Sequence, residues 1–150
     1  MNSISKIMII FCSLLVLALH LKCMVSADPI LPTKVTVEII NKLDMVYLDL
    51  RCKDKHNDLG SITLNVSETY RFRFYPNYFL PVTLYFCRFV WLAGDYYFDI
   101  YVQKRDGYCI HNRCSWEIFE TGPCKIKRGY SECFPWDRTF EEKKNNIVSS

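Results

Sequence analysis

From Val35 to Thr121 apolar and polar residues alternate in short runs separated by turn residues. Val35, Val37 and Ile39 alternate with Thr36 and Glu38, and Leu48, Leu50 and Cys52 alternate with Tyr47, Asp49 and Arg51. Tyr70, Phe72 and Phe74 point one way while Arg71, Arg73 and Tyr75 point the other. A period of two is the signature of a strand with one buried face. The pattern predicts strands over Val35–Ile39, Val46–Lys53, Ser61–Asn65, Tyr70–Tyr75, Val82–Trp91, Tyr96–Val102 and Cys114–Thr121. Val82–Trp91 is apolar on both faces, as a central strand is. Asn41–Asp44, Ala93–Asp95, Lys104–Gly107 and Gly122–Pro123 punctuate these runs. No segment after residue 27 carries a helical period. Several short strands rich in Tyr, Phe, Val and Ile predict an all-β fold, an antiparallel sandwich or barrel.

The ends of the chain read differently. Lys6 precedes an apolar run, Ile7–Leu21, of the length of a secretory h-region, and Val25-Ser26-Ala27 supplies small residues at its end. A signal peptide over residues 1–27, cut after Ala27, is therefore expected, and with it a secreted, extracellular protein. A spanning helix needs about 20 apolar residues, and His20 and Lys22 interrupt this run, so stable membrane insertion is not expected. Residues 28–136 form the expected domain, and residues 137–150, polar and aperiodic, the expected mobile tail.

Charge and cysteine count follow from that division. The chain has 19 Lys and Arg against 16 Asp and Glu, and loss of Lys6 and Lys22 with the leader leaves 17 bases. This near balance gives no reason to expect a nucleic-acid partner, nor a basic face acting on membranes. Of eight cysteines, Cys12 and Cys23 lie in the leader. Cys52, Cys87, Cys109, Cys114, Cys124 and Cys133 remain, an even set that reads as a disulfide framework of undetermined pairing. No CxxC and no His-x3-5-His spacing favours zinc. Asn65-Val66-Ser67 is an N-glycosylation sequon.

The charged tip between Cys52 and Gly60 admits three chemistries. Asp54, Asn57 and Asp58 are oxygen ligands, too few for calcium and without a terminal Glu. His56 and His111, with Lys55 or Lys104, are the residue types of acid/base phosphodiester cleavage, so a secreted hydrolase or nuclease is the alternative function. Neither histidine is framed by residues that would fix it. The third reading is a polar hairpin end, with Asp and Asn bonding the backbone and Lys53, Asp54, Lys55, His56, Asn57 and Asp58 offered to a partner. The turn Lys104–Gly107 is a second such end. Tyr70-Arg71-Phe72-Arg73-Phe74 interleaves rings and bases as single-strand nucleic-acid platforms do, but the strand period turns its rings into the core. No catalytic, cofactor or metal residue is assigned.

The tip Cys52-Lys53-Asp54-Lys55-His56-Asn57-Asp58-Leu59-Gly60 resembles C-x-S-x-D-D-D-L-G, a pattern of the plant self-incompatibility S-protein family, or S-protein homologues. Further matches follow in the family's order: Val37–Asn41, Asn77-Tyr78-Phe79, Thr83–Trp91, Phe98–Tyr101 with Arg105-Asp106, Cys114–Ile118 and Gly122-Pro123-Cys124. His56-Asn57 departs from the acidic triplet, and Leu80-Pro81 replaces the glycine after N-F-F. The resemblance implies a small secreted β-sandwich without known enzymatic activity. It also implies a ligand for a cell-surface protein, since the founding members are stigma-secreted ligands that trigger rejection of self pollen through a pollen-surface receptor. Most homologues lie outside that system. The resemblance matches Cys52, Cys87, Cys114 and Cys124 to the family's common cysteines. It leaves Cys109 and Cys133 as additional, and so implied to pair with each other.

Overall fold

The computed structural model of the chain describes residues 2–24 and 33–139. Residues 2–24 belong to a unit of their own, in which Ser3–Met24 form helix α1. Among the described residues no helix is long and apolar enough to cross a membrane. The expected cleavage site, Val25–Ala27, lies outside the described residues.

The second unit is built of strands. They are β1 (Val35–Asn41), β2 (Leu48–Lys53), β3 (Asp58–Leu64), β4 (Thr69–Phe74), β5 (Leu84–Trp91), β6 (Gly94–Val102), β7 (Arg113–Phe119), β8 (Gly122–Lys127), β9 (Tyr130–Cys133) and β10 (Arg138–Thr139). A single helical turn, α2 (Gln103–Asp106), interrupts them. Two five-stranded sheets result, in the orders β4-β1-β7-β8-β9 and β10-β6-β5-β2-β3. Among the described residues every strand pairing is antiparallel except β1 with β7, which is parallel. Of the sandwich or barrel expected from the alternation, the sandwich is present, with this one parallel pair added.

The period of two is what closes the core. Val35, Val37 and Ile39 of β1, Leu48 and Leu50 of β2, Phe72 and Phe74 of β4, and Phe89 of β5 are all buried. Trp116 of β7, wholly buried, meets Phe98 of β6 edge-on with ring centroids 5.3 Å apart. A large ring at that position fills the space between the sheets, and its truncation to Ala would cost about 3–5 kcal/mol. Arg71 and Arg73 are exposed, as the strand period requires.

Asn41 closes β1 and is wholly buried. Its Nδ2 donates to the carbonyls of Val46 and Leu64, each at 3.0 Å, and its Oδ1 accepts from Leu43 N at 3.0 Å. One amide thus satisfies the backbone where the chain leaves the first sheet for the second, which is why a polar side chain is tolerated there.

Three features differ from the sequence expectation. First, Cys109 and Cys133 do not pair. Cys52–Cys87, Cys109–Cys114 and Cys124–Cys133 are the bridges. Cys133 stands directly opposite Cys124 in the β8–β9 register, with Cα atoms 3.9 Å apart. Cys109 is turned back on Cys114 through Ile110–Asn112 at a Cα separation of 5.2 Å. Each additional cysteine therefore pairs with a common one. Second, Gly122-Pro123 does not end the sheet; it opens β8. Gly122 has φ 146°, and a Cβ there would stand 2.0 Å from the Phe134 carbonyl oxygen, so only glycine lets the hairpin pass under that segment. Third, the domain does not stop at Trp136. Asp99 N donates to Asp137 Oδ2, and Arg138–Thr139 pair with β6. Residues 140–150 lie outside the described residues.

Candidate recognition site

The β2–β3 hairpin ends in the polar tip, and its geometry sorts the tip residues. Asp54 Oδ1 accepts from His56 N at 2.7 Å and from Asn57 N at 2.6 Å. Asn57 Nδ2 donates to Asp54 Oδ2 at 2.9 Å, and Asp54 N donates to Asn57 O at 2.9 Å. Asp and Asn have replaced a backbone turn with a side-chain one. Burial pushes the Asp54 carboxyl up, but donors from the Asn57 side chain, the His56 and Asn57 backbone and the Tyr85 hydroxyl outweigh it and bring the pKa down to about 2. Asp58 is held in a two-pronged pair with Arg51 at 2.6 Å and accepts from Gly60 N at 3.0 Å. Asp54, Asn57 and Asp58 thus build the loop, while Lys53, Lys55 and His56 carry exposed side chains on it. Lys53 lies over the Phe86 ring at 5.2 Å.

Cys52 pins the entry of this tip to β5 through Cys87, at directly opposed positions with Cα atoms 4.0 Å apart. Beside the tip runs a cavity of about 590 Å³. Asp54, Lys55 and His56 form one wall; Tyr75, Val82 and Leu84 contribute to the other. Val82 of that wall belongs to the 76–83 segment, of which the strand pattern left 76–81 as a mere connection. The segment has its own polar frame. Asn77 Oδ1 accepts from Phe79 N and Leu80 N at 3.0 and 3.1 Å, Asn77 N donates to Thr83 Oγ1 at 2.8 Å, and Gln103 of α2 donates to Asn77 O and accepts from Thr83 N. With its backbone satisfied internally, the segment presents apolar side chains to solvent: Phe79 is 89 % exposed, and Leu80 and Val82 are also largely exposed. The signal in the sequence is the run Tyr78-Phe79-Leu80-Pro81-Val82, apolar where a surface loop is ordinarily polar.

The other expected candidates fall elsewhere. Lys104–Gly107 is not a free hairpin end. Its Asp106 carboxylate is fully buried, accepting from Val102 N at 2.7 Å, from Arg105 and from Lys125 Nζ at 2.6 Å. Burial raises that carboxyl, but the Arg105 and Lys125 bonds outweigh it and hold it below the usual range. The Arg105 guanidinium sits 5.1–5.3 Å from the rings of Trp116, Phe98 and Phe134. This turn ties α2 to β8. His111 lies between Cys109 and Cys114 with φ 49°, beside Asn112 at φ 61°, and is not part of the cavity wall that includes His56. Among the described residues no group of three His, Cys, Asp or Glu is placed to hold a metal. Asn65 is exposed at the end of β3, its Nδ2 donating to Glu68 at 3.2 Å.

The fold and this site define a class: a small disulfide-stapled β-sandwich with a rigid polar tip beside an apolar loop. Residues 36–136 match the family model described as plant self-incompatibility protein S1. The chain belongs to that family. It is 38 % identical over 124 residues to S-protein homolog 2 of Arabidopsis thaliana, covering 77 % of this chain and 76 % of that protein. It is 40 % identical to S-protein homolog 19 of the same plant, covering 71 % and 79 %, and 41 % identical to its S-protein homolog 5, covering 67 % and 76 %. A solved structure titled as one of the self-incompatibility protein homologues, "a widespread family of small, highly stable, secreted proteins from plants", superposes with a TM-score of 0.52 at 14 % identity. It covers 69 % of this chain and 95 % of that one, and supports the shared fold.

Proposed function

We propose that this protein is a secreted recognition ligand that binds a cell-surface protein through the face made by Lys53–Asp58 and the Tyr78–Leu84 loop. The observation that carries the reading is the exposed apolar loop beside the tip. Phe79, Leu80 and Val82 lie in solvent on a segment whose backbone is already satisfied. A contiguous apolar patch with polar neighbours is the usual form of a protein-binding surface, and large side chains on rigid supports make the strongest contributions to binding. Lys55 and His56 at the same cavity supply directionality. Secretion is supported by the three disulfides, which persist in oxidising compartments, and by the solved neighbour's description as a secreted protein. The exposed sequon at Asn65 supports glycosylation on that route.

The test is capture of surface proteins from plant cells by the secreted protein. Phe79→Ser with Leu80→Ser, and separately Lys55→Ala with His56→Ala, are compared with the wild type. The first pair is expected to abolish capture and the second to weaken it at least tenfold. Undiminished capture by both pairs would remove this face from the reading. Capture of nothing by the wild type would remove the reading itself.

A further inference from the structure

A second cavity, of about 350 Å³, lies where the β8–β9 hairpin meets α2. Lys125 stands opposite Trp116 in the β7–β8 register, so both side chains lie on the inner face of the sheet. Lys127, two residues on, shares that face. Opposite it in the hairpin is Tyr130, and opposite Lys125 is Glu132. Arg105, Asp106, Lys125, Lys127, Arg128 and Tyr130 all contribute to the cavity wall.

The charges here do not balance. Asp106 is wholly buried and already accepts from Val102 N, from Arg105 and from Lys125. Two cations therefore share one buried carboxylate. The excess on Arg105 is met by three aromatic faces and by the Asp99 carbonyl at 2.7 Å. Lys125 has no comparable relief. Its side chain is 8 % exposed, and an ammonium has three donors, of which one is used by Asp106 and the Trp116 ring lies 5.8 Å away. Lys127 is paired with Glu132 at 2.5 Å. Arg128 is exposed and has no ion-pair partner among the described residues. Four cations thus face two carboxylates around one concave space. Lys125 has Asp106 but shares that carboxylate with Arg105, and an anion in the cavity would offset the surplus positive charge.

We propose that this cavity binds a small oxyanion ligand, a carboxylate, sulfate or phosphate group received by Lys125 and Arg128 with its body against the Tyr130 ring. The volume, at the low end of ligand sites, admits such a group with a single ring. Arg128 is suited to a planar or tetrahedral oxyanion because its guanidinium offers a fork of donors. The site shares no residue with the groove beside Lys53–Asp58, so its fate and that of the recognition reading are independent.

The experiment is an amide-resonance titration of the full secreted protein with inorganic sulfate, inorganic phosphate and galacturonate. Galactose serves as the neutral control, and ionic strength is held fixed with chloride. A saturable shift at Ile126 and Tyr130 is expected with at least one of the three anions and none with galactose. Which anion saturates separates a free inorganic ion from a carboxylated sugar. Arg128→Ala leaves all the partners of Asp106 in place, keeps the fold, and is expected to weaken binding at least tenfold. Failure of all three anions to saturate, or equal affinity in the Arg128→Ala variant, would overturn the proposal.

Discussion

The buried side chains of Asn41 and Asp106 are each committed to several partners. Asn41 uses its whole amide at the corner between the sheets. Replacing it with Ala would leave the Leu43 N–H and two carbonyls without partners in the interior. The expected loss is about 2–4 kcal/mol, read as a lower urea midpoint with an unchanged slope. Asp106 is the stronger case. Asp106→Ala strands the buried Lys125 without its carboxylate and takes from Arg105 its ion-pair partner, and about 3–5 kcal/mol should go with it. Lys125→Met, in contrast, removes one of two cations from a carboxylate that keeps Arg105 and Val102 N, so it should cost less. An equal or larger loss for Lys125→Met, in the same urea series, would mean that Arg105 alone does not hold the carboxylate.

Among the elements, the bridges differ in the length of chain they close, and this ranks them. The sequence separations are 35 for Cys52–Cys87, 9 for Cys124–Cys133 and 5 for Cys109–Cys114. Loop-closure entropy gives about 4, about 2.5 and about 2 kcal/mol respectively. Paired Cys→Ser variants should lower the unfolding free energy in that order, and a reversal would mean that local strain outweighs chain entropy. The turn closed by the shortest bridge carries such a candidate strain, with Cys109, His111 and Asn112 all at positive φ. The elements themselves were legible in proportion to their alternation. β1, β2 and β4 announced themselves through one buried and one exposed face, and β5 through a run apolar on both faces. β8 and β9 did not, because Gly122-Pro123 reads as a stop and Lys125 is a charge on the inner face. Missing that hairpin also hid the opposition of Cys124 and Cys133. At the candidate site the tip was legible from its Asp, Asn and Gly, whereas its apolar neighbour was not. Phe79 and Val82 look like core residues until the side-chain frame of Asn77 shows that the segment needs no burial.

At the scale of the whole domain, these carboxylates tie stability to acidity. Among the described residues four carboxylates are held below their ordinary values in the fold: Glu38, Asp54, Asp58 and Asp106. For Glu38, on the outer face of β1, burial acts upward but is outweighed by bonds from Arg71 and the Ser115 hydroxyl and by the nearby Arg113. For Asp58 the pair with Arg51 is the leading cause. A carboxyl whose folded pKa is depressed stabilises the fold fully above its unfolded value and loses that contribution as pH falls through the folded value. The unfolded values lie at 4.5 for Glu38 and 3.8 for the aspartates, and the folded value for Asp54 at about 2. The unfolding free energy should therefore be level above about pH 5.5 and decline from there toward pH 2, with protons taken up on unfolding. Glu38→Gln and Asp54→Asn each remove one titrating group while keeping much of the side-chain shape. Each variant should be less stable than the wild type near neutral pH, and the two curves should converge on the wild-type curve in acid. If a variant's curve instead runs parallel to the wild type down to pH 2, that carboxyl titrates alike in the folded and unfolded chain. Its hydrogen bonds then serve the geometry of the sheet or the tip without coupling the fold to pH.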